Sequence, residues 1–340
     1  MNQPPAVSVL LPVRNAAPTL PRALDSLLAQ SHADIEIVAV DDGSTDETPA
    51  ILRRAAAADP RIVVESIPPL GLVPALNRGL ELCRSDLVAR MDGDDVCQPD
   101  RLAKQKELLD ERPGLGVASC LVLFGGDAEA SAGYAFHVDW CNNHITEQDI
   151  ALHRFQESPL PHPSVMFRKS IILDAGGYRD GAFPEDYELW LRLMDRGVRI
   201  AKVPEFLLTW SDPPDRLSRV DARYDVDAFY AVKAQYLARW LERENPFHPA
   251  VTIIGAGRVS RKRADLLEAH GVSIEAYVDI DPRKVGKAVH GRPVIHRDEL
   301  GGPGSRFAVS YVASRGAASD IEEFLQARGW VAGRDYILAA

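Results

Sequence analysis

The N-terminal part of the sequence alternates between short apolar runs and amphipathic stripes with helical spacing. The runs Val7–Leu11, Ile35–Val40 and Leu87–Met91 stop at proline or at acidic residues, as buried parallel strands do. Stripes with the period of a helix lie between the runs, and the first stripe contains Leu20, Ala23, Leu24, Leu27 and Leu28. Because parallel neighbours need crossover connections, this alternation predicts an α/β fold with a mostly parallel sheet between helices.

A second pattern of the same kind begins after the breaker run Asn245–Pro249. The segment VTIIGAGRVS starts a new strand, turn and helix, and a further helix is predicted over Ala264–His270. A helical stretch over Tyr224–Arg243 precedes the break, and the sequence assigns it to neither pattern. We therefore predict a large α/β domain over residues 1–223, a helical connector over 224–247 and a small α/β domain over 248–340.

The pattern is loose in the middle of the large domain. Gly125–Gly133 is rich in turn-forming residues, and Tyr134–Asn143 is aromatic without a clear period. Long irregular segments of this kind are often binding loops, so a loop is predicted here. Helical spacing returns over Glu185–Arg196, which is apolar on more than one face and is therefore predicted to be a buried helix.

Charge and cysteine content limit the partners that we expect. Lys plus Arg number 39 and Asp plus Glu number 49, for a net charge of −10 without a basic run, so no nucleic-acid partner is expected. The four cysteines fit neither a metal-binding spacing nor a disulfide framework, which is typical of a reducing cytoplasm. With neither a secretory signal nor an apolar run long enough to cross a membrane, we expect a soluble cytoplasmic protein. Peripheral contact with the inner membrane face and the oligomeric state are left open.

The acidic segment Asp92–Asp95 carries the strongest chemical signal. It directly follows a predicted strand, where an open α/β sheet places its ligand crevice. Its three carboxylates repel each other unless a cation or hydrogen-bond donors lie among them. Oxygen ligands of this type suit Mg²⁺ or Mn²⁺, which are bound together with substrate phosphates. A solvated acidic turn is the alternative interpretation.

Two further acidic pairs stand at ends of predicted elements. Asp41 and Asp42 follow the second strand, where they could accept hydrogen bonds from a nucleobase or ribose, or could simply cap a turn. Glu185 and Asp186 begin the buried helix. A carboxylate in a first helical turn is commonly a cap, but the same placement orients a general base.

Six motifs in one order resemble the bacterial family 2 glycosyltransferases of GT-A fold, over residues 6–220. The motifs are VSVLLPVRN, IVAVDDGSTDET, GLVPALNRGLELCRSDLVARMDGDD, HPSVMFR, AGGY and EDYELWLR. The segment Tyr134–Pro163, with Trp140, Asn142 and SPLPHP, is similar to a β-1,3-N-acetylglucosaminyltransferase-like subset.

The resemblance implies a role for individual residues of this chain. Asp186 corresponds to the catalytic base. Asp94 corresponds to the principal metal ligand, with Asp95 as the alternative, and the metal is Mn²⁺ or Mg²⁺. The positions that correspond to the nucleotide-sugar site are Pro12, Val13, Arg14, Asn15, Asp41, Asp42, Asn77, Asp92, Asp94, His162, Glu185 and Arg216. Ser218 and Arg219 belong to a segment that is similar to one closing over the diphosphate in the family.

These implications together predict a metal-dependent inverting glycosyltransferase. It would move a sugar from a nucleoside diphosphate sugar, expected to be a UDP-sugar, to an acceptor hydroxyl on a glycan or glycoconjugate. The leaving diphosphate gains negative charge, which a divalent cation offsets, and one carboxylate must take the proton of the acceptor hydroxyl. A catalytically silent nucleotide-sugar binding protein is one rival hypothesis.

The C-terminal segment supplies the second rival. Gly255, Gly257 and Ser260 partly match a dinucleotide fingerprint, and Asp279 stands where a ribose-binding carboxylate would be. The segment resembles small Rossmann-like domains appended to sugar-modifying enzymes. A structural or docking role and a nucleotide or sugar ligand both remain open. An oxidoreductase is disfavoured because the segment leaves no room for a substrate domain.

Overall fold

The computed structural model describes residues 3–214, 216–314 and 316–340, and they form two compact units. The first unit contains residues 1–150, 159–181 and 185–221. The second contains 222–340 together with two short excursions of the chain, 151–158 and 182–184. The predicted domain boundaries stay a prediction, but these excursions, which no linear pattern announced, belong with the second unit.

The elements of the first unit alternate as the sequence pattern predicts. Its strands are β1 (Val7–Val13), β2 (Ile35–Asp42), β3 (Ile62–Ile67), β4 (Leu87–Arg90), β5 (Val96–Cys97), β6 (Leu115–Phe124), β7 (Met166–Arg168) and β8 (Arg199–Trp210). Its helices are α1 (Leu20–Leu28), α2 (Thr48–Ala58), α3 (Leu72–Leu82), α4 (Arg101–Glu111), α5 (Ala132–Asn143), α7 (Lys169–Asp174), α8 (Glu185–Asp195) and α9 (Leu217–Val220). Helix α6 (Glu147–His153) begins in this unit and ends in the second.

One eight-stranded sheet organises the first unit, in the order β3-β2-β1-β4-β7-β6-β8-β5. β1 pairs in parallel with both β2 and β4, whereas β7 is antiparallel to both of its neighbours. Alternate residues of the central strands are buried in two different cores: Val9 and Leu11 lie in one, and Leu10 in the other. Helices therefore cover both faces of the sheet, and the carboxyl ends of β2, β1 and β4 meet at one edge.

The second unit is a smaller α/β layer structure. Its elements are α10 (Val226–Glu244), β9 (Ala250–Ile254), α11 (Arg258–Glu268), β10 (Ser273–Asp279), β11 (Ala288–Val289), β12 (Arg292–His296), β13 (Ala308–Ser310), α12 (Ala317–Gln326) and β14 (Tyr336–Leu338). The sheet order is β11-β12-β10-β9-β13-β14, and every pair except β11–β12 is parallel. The predicted fold class, two α/β parts with mostly parallel sheets, is confirmed.

Two elements differ from the sequence-based prediction. The aromatic segment predicted as a binding loop is helix α5, of which only Val138 and Cys141 are buried, so its core-facing stripe is too short to reveal a period. Helix α11 begins at Arg258 rather than Ala264. The apolar pattern did not reveal its first turn, because that turn is strongly basic and buries only Ser260. None of the helices in the described ranges is long and apolar enough to span a membrane.

Candidate functional site

The acidic cluster of the first unit lies in the loop after β4. One carboxylate oxygen from each of Asp92, Asp94 and Asp95 can be chosen so that all three lie within 4.8 Å of one another. Gly93 between them is required by packing, since a Cβ there would lie 2.9 Å from Cγ1 of Val13. The side chain of Val13 therefore takes up the space at this glycine.

The electrostatics of the cluster are those of carboxylates held together in a poorly solvated place. Burial and the neighbouring Asp92 raise the pKa of Asp94 to about 6. The pKa of Asp95 is raised well above its usual range, first by burial and then by the other two carboxylates. Keeping these carboxylates ionised costs free energy. A bound cation would remove the repulsion that raises the pKa values of Asp94 and Asp95, so the cluster suits a cation.

Asp95 is the most deeply buried member of the cluster. One of its oxygens, Oδ1, accepts a 2.7 Å hydrogen bond from the backbone N–H of Ser211. The other, Oδ2, is buried and has no hydrogen-bond partner among the described residues. Ser211 also donates its hydroxyl to the carbonyl oxygen of Asp94, at 2.6 Å. The residue that follows β8 thus fixes the acidic loop, and an unpaired carboxylate oxygen is left within it.

Arg90, the last residue of β4, is the buried counter-charge of this site. Its guanidinium forms an ion pair with Asp92. Its positive charge also lowers the pKa of Asp94 and of Asp186, in each case less than burial and a neighbouring carboxylate raise it. One buried cation therefore acts on both acidic groups, and no sequence motif pointed to it. The available signal was a charged residue that ends an apolar strand.

Asp186 lies in the first turn of α8. Burial, and after it the adjacent Glu185, raises the pKa of Asp186 to about 7. The backbone N–H of Tyr187 donates a 2.7 Å hydrogen bond to Oδ1. A partly exposed carboxylate with such a pKa is suited to accept a proton near neutral pH.

His162 and Glu185 are buried beside that turn. Nε2 of His162 lies 3.0 Å from the hydroxyl of Tyr178, and Nδ1 lies 3.9 Å from Oε1 of Glu185. Burial, and to a smaller extent Arg90, lowers the pKa of His162 well below its usual value. His162 is therefore neutral at pH 7 and offers hydrogen bonds rather than a positive charge.

The loops after β1 and β2 are bonded to each other. Asn15 adopts a left-handed conformation, with φ of 50°, and donates its N–H to the Ser44 hydroxyl at 2.9 Å. Its side-chain oxygen accepts the N–H of Thr45 at 2.9 Å. Pro12 and Val13 are buried in β1 just before this loop.

The acidic pair at the end of β2 is already hydrogen-bonded within the protein. Asp41 accepts the Ser44 N–H at 3.0 Å, and Asp42 accepts the N–H groups of Leu70 and Gly71, at 2.8 and 3.0 Å. Arg14 approaches Asp42 at 3.4 Å. These contacts give the pair a structural role, and its predicted contact with the nucleotide stays a prediction.

Asn77 has a clear structural role as well. Its side-chain amide donates to the carbonyl of Tyr178 and accepts the N–H of the same residue, both at 2.9 Å. At Gly177, with φ of 71°, a Cβ would lie 2.7 Å from Oδ1 of Asn77. The AGGY motif is therefore held against α3, and both polar atoms of Asn77 are engaged.

The segment after β8 places a guanidinium beside the acidic cluster. The guanidinium carbon of Arg216 lies 3.9 Å from the ring centroid of Trp210. The charge of Arg216 lowers the pKa of Asp94, by less than burial and Asp92 raise it. Arg219 is bound to Asp212 at 2.7 Å, and the Ser218 hydroxyl lies 3.2 Å from the Tyr134 hydroxyl. Of these three predicted residues, Arg216 acts on the acidic cluster, while Arg219 and Ser218 hold the segment to its neighbours.

The corresponding edge of the second unit differs, because its carboxylate is fully occupied. Oδ2 of Asp279 accepts the N–H of Ala256 at 3.0 Å and an ammonium hydrogen bond from Lys284 at 2.8 Å. Oδ1 accepts the N–H groups of Ile280 and Asp281, each at 2.9 Å. Ser260, the third residue of the partial fingerprint, donates its hydroxyl to the carbonyl of Tyr311 at 3.0 Å.

Comparison with protein families identifies both units. Residues 8–174 match the family described as glycosyl transferase family 2, and residues 249–331 match the CoA binding domain. The amylovoran biosynthesis glycosyltransferase AmsE of Erwinia amylovora is 35% identical over 192 residues, which are 56% of this chain and 69% of that protein. The O-antigen biosynthesis glycosyltransferase WbnJ of Escherichia coli is 27% identical, over 70% of this chain and 89% of that protein.

Solved structures share the fold of the first unit. The mannosyltransferase PcManGT of Pyrobaculum calidifontis, in complex with GDP-Man and Mn²⁺, superposes with a TM-score of 0.51 and 21% identity. The match covers 71% of this chain and 64% of that one. Residues 1–349 of S. aureus TarS, in complex with UDP-GlcNAc, superpose with a TM-score of 0.54 and 17% identity, over 77% and 70% of the two chains.

The predicted GT-A fold and the Rossmann-like second unit are thereby confirmed. The ordered motifs, the sheet topology and a relative of which more than two thirds is matched agree with one another. Family, fold and relatives together support transfer of a glycosyl group from a nucleotide sugar. The chain belongs to glycosyl transferase family 2 and is a glycosyltransferase whose second unit is a Rossmann-like domain of the CoA-binding type.

Proposed function

We propose that this chain is a metal-dependent, inverting transferase that uses a UDP-sugar and an acceptor hydroxyl on a glycan or glycoconjugate. The observation that carries the proposal is the pairing of a three-carboxylate cluster with a separate carboxylate of raised pKa, Asp186, under the influence of one buried arginine. The glycan acceptor is supported by the names of two relatives, which are described as glycosyltransferases of amylovoran biosynthesis and of O-antigen biosynthesis.

The donor set of the cluster fits a divalent cation. Asp94 and Asp95 would hold Mn²⁺ or Mg²⁺, and Asp92 and Arg216 would face the donor's ribose and diphosphate. The unpaired, buried Oδ2 of Asp95 supports this assignment, since a buried carboxylate oxygen without a donor is costly unless a ligand completes it. When bound, the cation would offset the charge that builds on the leaving diphosphate.

Asp186 would take the proton of the acceptor hydroxyl. Its position in the first turn of α8 orients the carboxylate, and its pKa of about 7 keeps a useful fraction both ionised and basic. Attack by the acceptor oxygen on the side opposite to the diphosphate breaks the glycosidic bond and inverts the anomeric carbon. Glu185 and the neutral His162 would line the same place and supply hydrogen bonds.

The nucleotide would lie over the loops after β1 and β2. Arg14, Asn15, Asp41 and Asp42 border that place, and they are already ordered by hydrogen bonds with one another and with nearby backbone groups. A site ordered before the ligand arrives loses little entropy on binding. The choice of uracil, and membership of the β-1,3-N-acetylglucosaminyltransferase-like subset, are part of the proposal.

The two rival hypotheses predict different outcomes. A silent binding protein would bind donor and release no nucleoside diphosphate, although Asp186 has the properties of a base. A dinucleotide oxidoreductase would need a carboxylate open to a ribose, and Asp279 is occupied by Lys284 and three backbone N–H groups. The contacts of Asp279 therefore favour the transferase.

The test is a melting-temperature panel of UDP-, GDP- and dTDP-sugars, each with Mn²⁺ and with EDTA. A ligand that binds only the native state raises the melting temperature. We expect the largest rise with a UDP-sugar plus Mn²⁺, and loss of that rise in Asp94→Asn. Asp100→Asn is the matched control, an exposed aspartate shortly after the cluster, and should behave as wild type. Equal shifts with Mn²⁺ and with EDTA would contradict the metal-dependent assignment.

A further inference from the structure

We propose that Arg101 and Gln105 of α4 are positioning residues that hold the Asp92–Asp95 loop in register with the His162 turn. The inference rests on the proposed function, because it concerns how the cluster is kept ready for the metal and the diphosphate. Neither residue touches the place assigned to the donor, so both would act through the loop.

Arg101 is fully buried and contacts both ends of the acidic loop. Nη2 donates to the carbonyl oxygen of Arg90, immediately before the loop, at 2.7 Å. Nη1 lies 3.4 Å from Sδ of Met91 and 3.1 Å from Sγ of Cys97, on either side of the acidic residues. One planar guanidinium thus spans the loop from its entry to its exit.

Gln105 extends the same network to the His162 turn. Its side-chain oxygen accepts from Nε of Arg101 at 3.1 Å. Its amide nitrogen donates to the carbonyls of Ser164, at 2.8 Å, and Ala118, at 3.0 Å. Ser164 ends the short turn that begins with His162. The two side chains therefore connect the metal-binding loop, the His162 turn and the central sheet.

The chemistry of the pair favours positioning over simple stabilisation. The partners of Arg101 in the described part of the chain are carbonyl oxygens, sulfur atoms and an amide rather than a carboxylate. Burying a guanidinium without an opposite charge is expensive, and a well-packed apolar residue would stabilise the fold at lower cost. An apolar residue in place of Arg101 would donate no hydrogen bond to the loop, and so could not hold it against the repulsion among its three carboxylates.

The test measures Mn²⁺ binding directly, by the loss of the free-ion EPR signal, and donor affinity by calorimetry. In Arg101→Met we expect the Mn²⁺ concentration at half-saturation to rise about 10-fold, as is typical when support of a metal site is removed. Gln105→Met should give a smaller rise in the same direction. Both measurements use the full chain and need no turnover.

The matched control is Arg168→Met. Arg168 also binds main-chain carbonyls, of Leu115 in β6 and of Leu109 near the end of α4, but it pairs with Leu87 at the start of β4, the end of that strand away from the acidic loop. We expect it to lower stability and to leave Mn²⁺ affinity unchanged. If Arg101→Met does not fold, the Mn²⁺ concentration at half-saturation of Gln105→Met decides whether the positioning role holds.

Two unfavourable outcomes are distinguishable. If wild type binds Mn²⁺ and donor, and the two α4 variants bind them equally well while only their melting temperatures fall, the positioning role is overturned and the proposed function survives. If wild type binds neither Mn²⁺ nor any nucleoside diphosphate sugar, the proposed function fails and this inference falls with it.

Discussion

Each unit has a carboxylate at the carboxyl edge of its own sheet, and the two edges differ in whether those carboxylates find hydrogen-bond donors. In the first unit, the carboxylates after β4 crowd together, the pKa values of Asp94 and Asp95 are raised, and one buried oxygen of Asp95 has no hydrogen-bond donor among the described residues. In the second, Asp279, the last residue of β10, is bonded to three backbone N–H groups and to Lys284, and its pKa is lowered despite its partial burial. The position at a carboxyl edge is shared, so the unmet hydrogen-bonding and charge requirements, rather than the position, mark the candidate site.

The largest expected effect separates chemistry from binding. Asp186→Asn should keep donor affinity and lower the transfer rate by about 10²- to 10⁴-fold, because the amide is nearly isosteric but cannot accept a proton. Steady-state kinetics and calorimetry on the same preparation measure the two quantities. A transfer rate close to that of wild type would leave Asp186 as a helix cap only.

The pH profile gives an independent check on the same residue. With a pKa of about 7, Asp186 loses its ability to accept a proton as pH falls. The sign follows directly: transfer should be fastest above that pKa and should fall about tenfold per pH unit well below it. An acid limb centred near the usual aspartate value would contradict the raised pKa of Asp186.

The next effect concerns the unsatisfied cluster itself. Asp94→Ala should weaken Mn²⁺-dependent donor binding by at least about 10-fold. Because the folded-state pKa of Asp94, about 6, lies above its usual 3.8, wild type should lose stability as pH rises through this interval. Asp94→Ala should lose less stability than wild type over this interval, because only Asp95 and Asp186, whose pKa values are also raised, remain, and melting curves from pH 4 to pH 7 would reveal the difference. An equal slope in both proteins would contradict the electrostatic account of the cluster.

The smallest effect tests the satisfied carboxylate. Asp279→Ala should lower the free energy of unfolding by about 1–3 kcal/mol, since it strands N–H groups that the side chain now satisfies. Transfer and donor affinity should not change. Asp281→Ala, which removes an ion pair to the largely exposed Arg283 and one hydrogen bond from the Arg283 N–H, is the control and should cost less than Asp279→Ala. If Asp279→Ala altered donor binding, the two edges would not differ as we describe.

Much of the first unit was predictable because it depends on local spacing. The stripe from Leu20 to Leu28 became α1 because it reports burial of one helix face, and the run from Val7 became β1 because a continuous apolar run reports a strand buried on both faces. Helix α5 was not predictable in this way, because only Val138 and Cys141 of its residues are buried. Cys83, Cys97, Cys120 and Cys141 are buried and form no disulfide within the described residues.

The candidate site was predictable in part for a similar reason. The acidic residues stand at strand ends, and strand ends are visible in a sequence. The groups that tune them were missed: Arg90 acts on Asp186 and Ser211 binds Asp95, and both are interactions between residues distant along the chain. Arg101 and Gln105 were missed because a buried polar network on a helix resembles an ordinary polar surface stripe.

By itself, the sequence determined the alternation of strands and helices, the order of the motifs and the acidic residues at the carboxyl edge. These depend on periods of a few residues and on the rule that parallel strands end on one side of a sheet. Tertiary structure alone decided which carboxylates find hydrogen-bond donors. It also decided that residues 151–158 belong to the second unit, where Phe155 packs 5.9 Å from the ring of Trp240. The physical reason is that desolvation and charge pairing depend on distances in space, which the spacing of residues along the chain does not specify.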